Sequence, residues 1–107
     1  MKIFISMPMS SKSTEQVRME MHKIFAYIQA KLPEAEMINS IINGADKKIA
    51  LKGDDIGVWF LGESLKRMSA ADIVFFVNNW KEYRGCSIER QVAEAYKKFC
   101  VDISVSL

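Results

Sequence analysis

Ile73-Val74-Phe75-Phe76-Val77 is an unbroken run of five apolar residues. It is too short to be a helix of its own and offers no polar face to water. Such a run suits a strand covered on both faces, as in a parallel sheet. Parallel neighbours cannot be joined by hairpins and need long crossover connections, usually helical. The rest of the chain supplies them.

Lys2-Ile3-Phe4-Ile5-Ser6 reads as a first strand, ended by Met7-Pro8. Ser13-Thr14-Glu15-Gln16 has the spacing of a capping box, with Ser13 as N-cap and Gln16 reaching back to it. Val17, Met21, Ile24, Ile28 and Leu32 then recur on one helical face, and Pro33 stops the helix. Glu36-Met37-Ile38-Asn39 is the candidate second strand. Asn43-Gly44-Ala45-Asp46 marks a turn, and the polar segment 43–55 reads as a long loop, a length often used for lids or binding. A second helix is expected after Asp54-Asp55, with Leu61, Leu65 and Met68 toward the core. A third is expected after the loop 78–86, with Ile88, Val92, Ala95 and Phe99 inward, and Val101–Val105 is the last strand. Alternation of this kind predicts a small parallel sheet of four to five strands with helices on both faces.

Length and charge narrow the function. A chain of 107 residues organises one modest core, so residues 1–107 are read as a single domain. With 15 Lys and Arg against 13 Asp and Glu the net charge is only +2, and no basic run concentrates it, which argues against a nucleic-acid polymer as partner. Nothing approaches the ~20 apolar residues of a membrane span. Cys86 and Cys100 lack a second cysteine or a histidine at ligand spacing, so neither a metal site nor a disulfide framework is expected, and a reducing, cytoplasmic compartment is.

In parallel α/β sheets, ligands bind beyond the carboxyl ends of the strands. That rule nominates residues 7–13 and 78–89. Within the second, Glu89 is the candidate catalytic group: it is expected in the first turn of the last helix, where the helix N-terminus favours an ionised carboxylate. Met7 and Pro8 should line the crevice. Ser10 and Lys12, at the start of the first helix, are candidates to hold a phosphate. Trp80 could stack on a nucleobase or be buried against a partner subunit, and Arg84 could bond a base or a phosphate. Gly85 suits a tight turn or a close backbone approach to a ligand. Cys86 fits no cysteine phosphatase, since Val92 stands where the loop's arginine would fall, and His22 reads as solvated.

Ala71-Asp72-Ile73-Val74-Phe75-Phe76, the Asn78-Asn79-Trp80 loop and Arg84-Gly85-Cys86-Ser87-Ile88-Glu89 followed by Ala93 resemble the nucleoside 2-deoxyribosyltransferase superfamily, in particular its small branch found in phages and bacteria. Ile3–Ser10 looks like that branch's opening strand and loop, and Leu61-Gly62-Glu63-Ser64 like its second-helix signature. The resemblance implies a Rossmann-like (flavodoxin-like) sheet and cleavage or transfer of the N-glycosidic bond of a deoxynucleoside or its 5′-monophosphate, with Glu89 as nucleophile and no cofactor. It also implies ligand contacts from the loop that holds Asn78, and a homodimer or larger homo-oligomer. Well-characterised members carry an aspartate where this chain has Ser64, whose hydroxyl can bond a sugar but cannot act as a carboxylate base. The alternative is therefore a non-catalytic module of the same fold that binds a nucleotide or an ADP-ribose-like signal. A pure interaction module would leave the crevice residues without a role.

Overall fold

A computed structural model describes residues 1–42 and 54–107. The expected loop 43–55 falls largely outside the described residues. Strand β1 is Lys2–Ser6, helix α1 Thr14–Lys31, strand β2 Glu36–Met37, helix α2 Asp54–Met68, strand β3 Ile73–Val77, helix α3 Arg84–Ala95 and strand β4 Phe99–Ile103, with a short 3-10 turn at Trp80–Glu82. The four strands form one sheet in the order β2-β1-β3-β4, and every pairing is parallel. The mixed α/β architecture expected from the sequence is therefore present, with four strands among the described residues.

Side-chain alternation along the two central strands divides the core in two. Ile3, Ile5, Phe75 and Val77 face α1 and pack with Val17, Met21, Ile24 and Ile28. Phe4, Val74 and Phe76 face the other way, against Met68 of α2 and Ala93 of α3. This is why the Ile73–Val77 run carries no polar residue: both of its faces are covered. Ser6, the last residue of β1, continues the Phe4 face, so its hydroxyl points into the α2–α3 layer rather than into solvent; it is buried.

Several boundaries differ from expectation, for local reasons. The β2 ladder closes after Met37, although Ile38 still donates to the Ile3 carbonyl at 2.8 Å. Ser13 caps α1 as expected, accepting from the Gln16 backbone N–H at 3.1 Å. The Gln16 side chain does not return to Ser13; it donates to Glu20 at 3.1 Å. Helix α3 stops at Ala95 instead of running to Phe99. Lys97 takes a left-handed conformation (φ 59°), and Lys97 and Lys98 donate to the Glu94 and Ala93 carbonyls at 3.1 and 2.8 Å. That is a Schellman closure, the usual way a helix satisfies its last carbonyls. The buried residues of α3 are Cys86, Glu89 and Ala93; of the four expected inward, Val92 packs partly buried against the Phe4–Val74–Phe76 side of the core, while Ala95 and Phe99 are exposed. Phe99 moves into β4, 65% exposed, and that strand runs two residues earlier than expected.

Candidate functional site

The strand order changes direction between β1 and β3, because the chain winds through α1 to β2 on one side and returns through α2 to β3 on the other. Crevices form at the carboxyl ends of strands flanking such a point. Here the crevice is a cavity of about 920 Å³, bounded by the β1–α1 loop, α2 and the start of α3.

Glu89 lies in its floor. The residue is 6% exposed and both carboxylate oxygens are held: Ser6 Oγ donates to Oε1 at 2.7 Å and Ser64 Oγ to Oε2 at 2.6 Å. The three residues come from β1, α2 and α3, so the arrangement is a product of tertiary packing. Small neighbours on the same face of α3, Cys86 and Ala93, let the carboxylate sit against the sheet. Because α3 begins at Arg84, Glu89 belongs to its second turn, not its first. The electrostatics follow: burial pushes the Glu89 carboxyl above its ordinary value, and the two serine hydroxyl bonds pull against that shift. The expectation of a readily ionised group at a helix terminus is thereby corrected. Cys86, also lining the cavity, has its thiol pushed up to about 11 by burial and by the nearby Glu89 carboxylate, against a Ser6 hydrogen bond that lowers it. It is a packing residue and a poor nucleophile.

The other sequence candidates separate into two groups. Met7, Pro8, Ser10, Lys12, Ser64, Arg84 and Gly85 line the same cavity as Glu89. Lys12 is not a free cation, because its Nζ bonds Glu20 at 2.6 Å and that contact holds the Glu20 carboxyl below its usual value. The Arg84 guanidinium lies over α2, where a Cβ added at Gly57 would meet it at 3.7 Å. A Cβ at Gly85 would meet nothing within 4 Å, so neither crowding nor an unusual backbone requires glycine there. A Cβ at Gly62 would likewise meet nothing within 4 Å.

Trp80 and Asn78 form the second group and are committed elsewhere. The Trp80 indole N–H donates to Asp102 at 3.1 Å, its ring lies 5.3 Å from Phe76, and the Arg90 guanidinium stacks on it at 5.0 Å. Arg90 also bonds Asp102 and Glu94 at 2.7 and 2.6 Å. This cluster ties the 80–82 turn to β4, outside the cavity. Asn78, in a left-handed conformation, exchanges two hydrogen bonds with the Val105 backbone and lines a small depression of about 110 Å³ with Met7, Pro8 and Lys12. Asp72 sits on the opposite rim, accepting from the Lys2 backbone N–H at 2.8 Å.

Sequence reasoning missed Ser6 as a partner of Glu89. The signal was a polar residue closing an otherwise apolar strand, in phase with the buried Phe4. Among the described residues no cluster of three or more His, Cys, Asp or Glu could hold a metal, and no helix is long and apolar enough to cross a membrane. Comparison of the chain with protein-family models, curated proteins and solved structures gives no match.

Proposed function

We propose that the protein cleaves or transfers the N-glycosidic bond of a deoxynucleoside or its 5′-monophosphate, with Glu89 as the nucleophile. The observation that carries this reading is one buried carboxylate, aligned through both oxygens by Ser6 and Ser64, at the base of a cavity large enough for a nucleotide. Fixed hydroxyl donors orient the group without filling its lone pairs, since each carboxylate oxygen can accept more than one bond. The ionised oxygen attacks the anomeric carbon through an oxocarbenium-like transition state. The C–N bond breaks, the base leaves with the electron pair, and a glycosyl ester forms on Glu89. Water or a second base then displaces the ester, giving hydrolysis or base exchange. Burial supports the role from the ground-state side: a carboxylate stripped of water is a stronger nucleophile, and its raised pKa makes turnover climb with pH as the proton leaves.

A second reading is favoured by one observation. Ser64 supplies a hydroxyl where the resembled enzymes carry an aspartate, and that hydroxyl is already spent on Glu89. On this reading the cavity binds a nucleotide or an ADP-ribose-like signal without turnover. Following free base by chromatography from a panel of deoxynucleosides and their 5′-monophosphates separates the two. Release by wild type and a drop of at least about 10³-fold in Glu89→Gln is the expected outcome. Saturable binding with no release by either protein rejects turnover in favour of the binding module, and a gain in Ser64→Asp identifies the replaced aspartate as limiting. The proposal places the protein in a reducing cytoplasm, consistent with two free cysteines among the described residues, and as a homodimer or larger assembly.

A further inference from the structure

Ser40 is a buried polar residue that neither reading above uses. It is 4% exposed, and its hydroxyl has no hydrogen-bond partner among the described residues. Buried hydroxyls in native proteins are nearly always bonded, because leaving one unpaired forfeits the bond it made to water. Ser40 also lines the cavity that holds Glu89.

Its surroundings fix it there. Arg67 of α2 donates to the carbonyls on either side, Asn39 at 2.8 Å and Ile41 at 3.1 Å. The Asn39 side chain closes an Asx turn onto the Ile41 N–H at 3.0 Å. With the flanking residues clamped from outside, Asn39 is exposed and Ser40 is turned inward. Rotation about its single χ1 is the one adjustment that redirects the hydroxyl between staggered positions. Ser64, which holds Glu89, precedes Arg67 by three residues on the same helix. Three residues of α-helix advance about 4.5 Å along its axis. One turn of α2 thus links the Glu89 contact to the clamp around Ser40. Ile41, Ile42 and Phe60 line the same cavity as Ser40, and a hydroxyl beside apolar lining residues is the kind of group by which pockets orient a ligand.

We propose that Ser40 is a specificity-determining residue that hydrogen-bonds the polar edge of the ligand's planar base, while Glu89 addresses its sugar. This inference rests on the proposed function: if the anomeric carbon lies at Glu89, the base is one bond away. The test compares wild type with Ser40→Ala by calorimetric titration against the four common deoxynucleoside 5′-monophosphates and against 2-deoxyribose 5-phosphate, which lacks a base. The variant should bind its best nucleotide about 3- to 10-fold more weakly, the loss expected for one uncharged hydrogen bond. Its affinity for the sugar phosphate should not change, and its melting temperature should be equal or higher, because an unpartnered buried hydroxyl has been removed. Equal weakening of both ligands, unchanged nucleotide affinity or a lowered melting temperature overturns the assignment of Ser40 and leaves the function of Glu89 standing. Failure of the wild type to bind any of the nucleotides overturns both.

Discussion

Glu89 combines two demands that oppose each other. The carboxyl of a residue only 6% exposed is costly to ionise, yet the proposed chemistry needs it ionised. Ser6 and Ser64 offset part of that cost with two short hydrogen bonds, and the net direction is still upward from 4.5. For an acid whose folded-state pKa is raised, the folded protein prefers the protonated form. The associated stability is complete below about pH 4.5 and is lost as pH rises through the higher folded value. Glu89→Gln cannot ionise, so the variant should melt above wild type at about pH 8, with the gap closing toward about pH 4. Thermal melts across that range check the sign; a variant less stable than wild type at alkaline pH would show that the carboxylate is held favourably as an anion. A site residue whose removal stabilises the fold is also the usual mark of function kept at the expense of stability.

At the scale of elements, the end of α3 decides where β4 starts and what its residues meet. Had the helix continued to Phe99, β4 would start later and Asp102 would not stand opposite Arg90 and Trp80. The stop is made by Lys97 at φ 59°, a conformation in which a side chain costs roughly 1–2 kcal/mol and glycine costs little. Lys97→Gly should therefore raise stability by about 1 kcal/mol in urea unfolding, with the slope unchanged. The stop was hard to read beforehand because Lys97-Lys98 carries no glycine. The apolar spacing of Ile88, Val92, Ala95 and Phe99 reads equally well as a longer helix. Periodicity reports which residues are apolar, and the choice between two competing apolar faces belongs to packing. In α3 the winning face is the one with small residues around Glu89, Cys86 and Ala93, because they let the helix approach Phe4, Val74 and Phe76 closely.

Over the whole molecule, the two faces of the sheet are covered unequally. Among the described residues α2 and α3 pack on one face and α1 alone on the other. On the α1 side, Val101, Ile103 and Val105 are only partly buried and Phe99 is 65% exposed. A homodimer would cover such surface, and light scattering at micromolar concentration should give at least twice the 12.2 kDa chain mass. A monomer mass at working concentration would reject the assembly and require each cavity to function from one subunit's residues.

The sequence by itself determined the class of fold and nominated the carboxylate that the structure places in the cavity. An apolar run flanked by helical repeats has few ways to hide both faces other than a parallel sheet, and the crevice rule then points to the segments after β1 and β3, where Glu89 lies. It did not determine what surrounds that carboxylate. Trp80 and Arg84 are near neighbours along the chain, yet one is locked against Arg90 and Asp102 while the other lines the cavity. Ser6 and Ser64 stand far apart in sequence and meet on the two oxygens of one side chain. Local pattern encodes which residues are buried, because burial follows the period of each element. Which buried residues touch is set only when helices from different parts of the chain dock on the sheet, and the geometry around Glu89 is made by those contacts.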